Sequence, residues 1–314
     1  MRAFVFPGQG SQAVGMGKDL ADTFPEARAV FDAVDAALGE KLSRTMWEGP
    51  ETELTLTENA QPALMAVSMA VVAVLAGRGV LLPDHARFVA GHSLGEYSAL
   101  AAVDSLSLAD AARLLRLRGQ AMQRAVPVGV GAMAAIMGLE FDQCAEIAAS
   151  VAGDDVCAAA NDNAPGQVVL SGHMSAVARA IEKAKEMGAK RAIELPVSAP
   201  FHCALMAPAA EEMAEALAQI SLSAPKIPVI ANVAAAPVTD AEEIRRLLVE
   251  QVTGRVRWRE SMQWLAENGI TDLVELGAGK VLGGLAKRND ARLQGLSLSS
   301  VEAVTAFLDS LDAS

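Results

Sequence analysis

Gly91-His92-Ser93-Leu94-Gly95 decides how this chain is read. Before it runs Arg87-Phe88-Val89-Ala90, a short apolar stretch that reads as a buried strand. After it, Glu96-Tyr97-Ser98-Ala99-Leu100-Ala101-Ala102 reads as the opening turns of a helix. Strand, G-x-S-x-G and helix together form the pattern of a nucleophile elbow, a sharp turn that lifts a serine hydroxyl clear of a sheet. Glycines on either side allow a strained backbone and the close approach of other chain segments. The five-residue pattern alone is short and recurs by chance, so its flanks give it its weight.

Working outward, the 314 residues have room for one large domain or two of ordinary size. At 52% hydrophobic and only 4% aromatic, the composition suits a close-packed α/β protein with helices laid on a sheet. Residues 3–6 read as a first strand ending at Pro7, followed by a Gly-rich turn from Gly8 to Gly17 and a helix over 25–38. An apolar helix is expected over 62–77. The run from Ala63 to Ala76 is too short to span a bilayer, so a buried helix is the better reading.

Ser107-Leu108-Ala109-Asp110 is a capping-box pattern that starts a helix running to about residue 124. After a linker at 125–131 comes a strand at 132–139, a helix at 142–151, a strand at 156–160 and a turn at 161–166. A strand at 167–171, a helix at 175–187 and a strand at 191–195 complete the ferredoxin-like order β-α-β-β-α-β. The α/β character then resumes. Helices are expected at 208–219, 241–253 and 258–268, and strands at 228–233 and 271–276. A small unit over 128–198 therefore looks inserted into a larger core made of 1–127 and 199–314.

The net charge of −12 argues against a nucleic-acid partner, because phosphate contacts need a basic surface. The N-terminus lacks an apolar h-region and a small-residue cleavage site, so no signal peptide is expected. Cys144, Cys157 and Cys203 have no metal-like spacing, and their odd number suits reduced thiols. The expectation is a cytoplasmic monomer with no metal and no membrane partner.

A serine nucleophile needs a base. Of the four histidines, His92 lies inside the elbow and should point to the opposite side of the turn, His85 falls in a surface turn, and His173 falls in the small unit. His202, in Ser198-Ala199-Pro200-Phe201-His202, sits where the chain re-enters the core, and elimination favours it. A buried core histidine is the plainer alternative. In the helix after Ser107, Ala111, Leu114, Leu115 and Met122 share one face, and Arg118 shares it with them. An inward arginine is costly unless it is paired with an anion or hydrogen-bonded; the plainer alternatives to a ligand anion are an internal salt bridge or a side chain that snorkels to solvent. Acyl transfer also needs donors for an oxyanion. The N–H of Leu94 is the usual first donor, and the loop Pro7-Gly8-Gln9-Gly10-Ser11-Gln12 offers a second. That loop also matches a dinucleotide fingerprint, but the second strand with its acidic residue is missing.

These residues resemble the bacterial malonyl-CoA:acyl carrier protein transacylases and the acyltransferase domains of polyketide and fatty acid synthases. The resemblance rests on Phe6-Pro7-Gly8-Gln9-Gly10-Ser11-Gln12, Asn59-Ala60-Gln61-Pro62-Ala63, the elbow with Glu96-Tyr97, the Arg118 helix, Pro200-Phe201-His202 and Gln251-Val252-Thr253. It implies an α/β-hydrolase-like core with an inserted ferredoxin-like subdomain. It also implies that Ser93 is acylated, that His202 is the base and that Arg118 pairs with a malonyl carboxylate. Gln12 and Leu94 would supply the oxyanion donors, and Gln61 would line the cleft. A backbone carbonyl near Gln251 would orient the histidine in place of an acid. Phe201 and Leu94 fit the malonyl-selective pattern. The substrates implied are malonyl-CoA and acyl carrier protein, with no separate cofactor.

The family usually has a proline where this chain has Arg255, which puts the local loop geometry in question. Such carriers are usually acidic, so docking would need a local basic patch, with Lys183, Lys185, Lys190, Arg191, Lys280, Lys287 and Arg288 as candidates. Three alternatives stay open. The chain could be a malonyl transferase for a polyketide synthase or malonate decarboxylase, a serine hydrolase or thioesterase, or a carrier-binding module without activity.

Overall fold

The computed structural model describes residues 1–312. Among the described residues, ten strands fall into two sheets. In chain order they are β1 (Arg2–Phe6), β2 (Phe88–Gly91), β3 (Gly131–Met137), β4 (Cys157–Ala164), β5 (Gln167–His173), β6 (Arg191–Glu194), β7 (Val229–Ala231), β8 (Ala236–Val238), β9 (Asp272–Leu276) and β10 (Gln294–Leu298). The larger sheet runs β10-β9-β1-β2-β7-β8. All its pairs are parallel except β7 with β8.

Parallel strands with helices on both faces are buried on both faces, so they read as unbroken apolar runs. β1 shows this directly: Ala3, Phe4, Val5 and Phe6 are all fully buried. Their alternation sends Phe4 and Phe6 into one core and Ala3 and Val5 into another, where Trp258, Met262 and Leu265 pack.

The second sheet is antiparallel, in the order β4-β5-β3-β6. With helices Phe141–Ala152 and Met174–Glu186 it follows the ferredoxin-like order expected. Ala132, Ala134, Ile136, Val168 and Leu170 pack against these helices. The alternate positions Met133, Ala135 and Val169 face a cleft between the two sheets. The stretch 161–164, expected as a turn, instead continues β4, with register shifts around Asn161 and Asp162. Polar residues are tolerated here because the core supplies partners. Arg259 clamps the buried Asp162 carboxylate through both oxygens, and Val256 exchanges backbone hydrogen bonds with Ala160 and Asp162 at 2.8 and 2.9 Å.

The apolar helix starts earlier than expected, at Thr57, and runs to Gly77. At 21 residues it is long and apolar enough to cross a membrane by those measures, yet 72% of its most apolar window is buried inside the fold. Helix Leu108–Ala125 is capped by Ser107 Oγ, which accepts from the Asp110 N–H. Gly119 lets this helix approach the start of the Thr57 helix closely: a Cβ there would sit 2.7 Å from the Thr57 carbonyl oxygen. That contact brings Arg118 within reach of Gln61.

Candidate active site

β2 ends at Gly91, and the chain turns through His92, Ser93 and Leu94 into helix Gly95–Ala102. Ser93 sits at φ 53, a left-handed conformation that non-glycine residues seldom adopt. The turn is crowded: a Cβ on Gly91 would overlap the Gly95 carbonyl, and one on Gly95 would strike that of Phe6. Asn232, just past β7, holds the turn from below. Its Oδ1 accepts from the Ser93 N–H at 2.7 Å, and its Nδ2 donates to the Gly91 carbonyl at 2.6 Å. The amide thus extends the β2–β7 ladder by one step with a side chain.

His202 is buried and also left-handed, at φ 57. Its Nδ1 lies 2.9 Å from the Gln251 carbonyl and 3.1 Å from that of Gly254. Carbonyls only accept, so Nδ1 carries the proton and Nε2 is left as an acceptor. Nε2 lies 2.7 Å from Ser93 Oγ. Burial, and then the nearby charge of Arg118, push the imidazole pKa down to about 3, so the ring is neutral. Arg255 does not disturb this loop: its guanidinium stacks over Phe141 at 4.1 Å and pairs with Glu260 at 2.8 Å. Cys203 turns its thiol to the Pro200 carbonyl.

Arg118 is 1% exposed. Nη1 donates to Gln61 Oε1 at 2.7 Å, and Nη2 donates to Gln251 Oε1 at 2.8 Å and to Ser93 Oγ at 3.3 Å. Its direct acceptors are thus neutral, and among the described residues it makes no ion pair. The internal salt bridge, the plainer alternative at sequence level, is not formed. Only amides and a hydroxyl solvate this buried guanidinium, an arrangement in which an added anion would find an opposite charge.

The cleft measures about 850 Å³, and Gln12, Gln61, Ser93, Leu94, Arg118, Phe201 and His202 all line it. Among the described residues, the N–H groups of Gln12 and Leu94 find no turn or loop acceptor. Gln251 does not line the cleft. It is fully buried behind it, where it holds Arg118 with its side chain and His202 with its carbonyl. His92 borders the cleft, and its side chain turns to Asn163, with Nε2 2.8 Å from Oδ1, and to the Trp258 ring, not to the Ser93 hydroxyl. Asn232 and Glu96 escaped sequence reasoning. Asn232 fell inside the strand expected over 228–233, where nothing in its spacing marked it. Among the described residues no group of His, Cys, Asp and Glu is arranged to hold a metal.

A serine on a strained turn, hydrogen-bonded to a neutral buried histidine, is equipped for covalent acyl transfer. The profile of the acyl transferase domain family matches residues 3–283. The malonyl CoA-acyl carrier protein transacylase of Bacillus subtilis is 46% identical over 310 residues, covering 98% of this chain and 96% of its own. The crystal structure of an acyl-carrier-protein-S-malonyltransferase from Bartonella henselae superposes with a TM-score of 0.97 at 55% identity, covering 99% of each chain. A malonyl-transacylase solved with its type II PKS acyl-carrier protein gives 0.95 at 42% identity, covering 98% of this chain and 99% of that one. The chain belongs to the acyl transferase family and, within it, to the malonyl CoA-acyl carrier protein transacylases.

Proposed function

We propose that this chain moves a malonyl group from coenzyme A to the phosphopantetheine thiol of an acyl carrier protein, for fatty acid biosynthesis, through an ester on Ser93. The Ser93 hydroxyl gives its proton to His202 Nε2, 2.7 Å away, as Oγ attacks the thioester carbonyl. The N–H groups of Gln12 and Leu94 receive the oxyanion. The C–S bond breaks, and coenzyme A leaves as a thiol with the proton from His202. The carrier thiol then repeats the sequence in reverse: it gives its proton to His202 and attacks the ester carbonyl, and Oγ recovers a proton as the C–O bond breaks. The thioester brings all the chemistry needed, so no separate cofactor enters.

The observation that carries this reading is Arg118, a buried guanidinium 3.3 Å from Ser93 Oγ whose direct acceptors are neutral. A water-using esterase for neutral acyl groups has no use for it. In this reading residues 128–198 form a small subdomain over a core of 1–127 and 199–314, and the enzyme is a cytoplasmic monomer. Mass spectrometry after mixing with malonyl-CoA tests it. A malonyl adduct confined to Ser93 and discharged by carrier protein is the expected result, and the absence of an adduct refutes the proposal. A second reading, service to a polyketide carrier, is favoured by the neighbour solved with such a partner; comparing discharge rates with the two kinds of carrier separates them.

A further inference from the structure

Glu96 lies three residues after the nucleophile and is 3% exposed, yet no step of the transfer uses it. Its Oε2 accepts two hydrogen bonds, from Gln251 Nε2 at 2.8 Å and from the Asn232 N–H at 3.1 Å. Gln251 Nε2 also donates to the Ser93 carbonyl at 2.9 Å. The amide of a glutamine can be turned end for end, and only its neighbours decide which end points where. Here both neighbours of the nitrogen, a carbonyl and a carboxyl oxygen, accept. The oxygen is thereby left facing Arg118, 2.8 Å from Nη2. Turned the other way, the amide would set donors against the guanidinium and break all three contacts.

We propose that Glu96 is a positioning residue: by accepting from the Gln251 amide it fixes that amide's oxygen toward Arg118 and so aims the guanidinium at an incoming carboxylate. The arrangement has a further merit. A carboxylate placed directly on Arg118 would compete with the substrate for the same donors, whereas one set behind a neutral amide does not. The assignment rests on the reading that Arg118 receives the malonyl carboxylate.

Single-turnover acylation of Ser93 by malonyl-CoA and by acetyl-CoA tests it, because only the first donor needs Arg118. In Glu96→Leu the ratio of malonyl to acetyl rates should fall by about tenfold, since the guanidinium is misaimed while the serine–histidine pair stays. Glu96→Gln should restore most of the ratio. The two donors facing position 96, Gln251 Nε2 and the Asn232 N–H, select the oxygen end of the new amide. Arg118→Ala should collapse the ratio by about a hundredfold. If Glu96→Leu slows both donors equally, or leaves the ratio unchanged while Arg118→Ala collapses it, Glu96 is structural only and the proposal falls. If Arg118→Ala leaves the ratio unchanged, the malonyl reading fails and takes the proposal with it. Should Glu96→Leu show no folded transition on heating, Glu96→Met, which keeps the length of the side chain and removes the acceptor for Gln251 Nε2, replaces it under the same criteria.

Discussion

The main-chain carbonyl of Gln251 lies 2.9 Å from His202 Nδ1, in the place where a Ser-His-Asp triad puts a carboxylate. A carbonyl fixes the tautomer as well as an acid does, but it adds no negative charge to favour an imidazolium. With burial and Arg118 also opposing protonation, the base stays neutral in the resting site.

That depressed pKa has a consequence for stability. An unfolded chain protonates this histidine near 6.5, whereas the folded chain waits until about 3. His202 therefore contributes stability that is whole above pH 6.5 and is lost as pH falls toward 3. Glu96 runs the other way, because burial raises its pKa from 4.5 to about 7. Its contribution is whole below pH 4.5 and is lost as pH rises through 7. In urea unfolding, the stability of the wild type relative to His202→Gln should drop from pH 7 to pH 4. Relative to Glu96→Gln it should drop from pH 4.5 to pH 8. A difference that does not move with pH would contradict the corresponding burial.

Arg118→Lys should not rescue Arg118→Ala. The guanidinium serves two amide oxygens and the nucleophile through separate nitrogens, and an ammonium on a flexible stem cannot hold that fork. Malonyl transfer by the lysine variant should stay at least roughly tenfold below wild type. Near-normal rates would show that charge alone is enough.

Asn232→Ala removes both the acceptor for the Ser93 N–H and the donor to the Gly91 carbonyl. Two buried bonds lost should cost about 2–4 kcal/mol. The released elbow should slow acylation by malonyl-CoA and acetyl-CoA alike, by roughly tenfold or more. A selective loss of only one donor would mean that Asn232 acts on Arg118 and not on the turn.

Arg259→Ala strands the carboxylate of Asp162, which is 0% exposed. Breaking one side of such a pair should destabilise by about 3 kcal/mol, and replacing both partners with apolar residues should cost less. Chemical denaturation of the single and double variants decides this.

Lys183 and Lys185 are already paired on their own helix with Glu186 and Glu182. The exposed Lys190 and Arg191, beside and in the edge strand β6, are better docking candidates for an acidic carrier. Changing both to Glu should raise KM for the carrier by about fivefold and leave KM for malonyl-CoA alone. An equal rise for both substrates would remove this surface from consideration.

The residues that meet in the cleft were largely legible because each breaks a local rule. Ser93 sits between two glycines that nothing but a tight turn requires. Arg118 interrupts an apolar stripe, and His202 was the histidine left after the others found plainer places. The groups behind them were hidden because they break no rule. Glu96 reads as an ordinary acid in the first turn of a helix, and Asn232 as the end of a strand. Their roles exist only once β7 lies beside β2. Residues 161–164 were misread for a related reason: Asn, Asp and Pro signal a turn, and only a partner 97 residues away, Arg259, makes Asp162 fit a strand. β8 was missed because Pro237 argues against a strand, yet at a sheet edge its missing N–H costs nothing.

One seven-residue stretch, 251–257, touches both halves of the molecule. Gln251 and Gly254 hold His202, and Val256 is stitched to β4 of the small sheet. Anyone exchanging the small sheet for that of a relative, to alter what the cleft admits, is therefore not trading an independent cap. The graft reaches His202 through this stretch, and a chimera will work only if the recipient's 251–257 and Arg259 match the incoming strand.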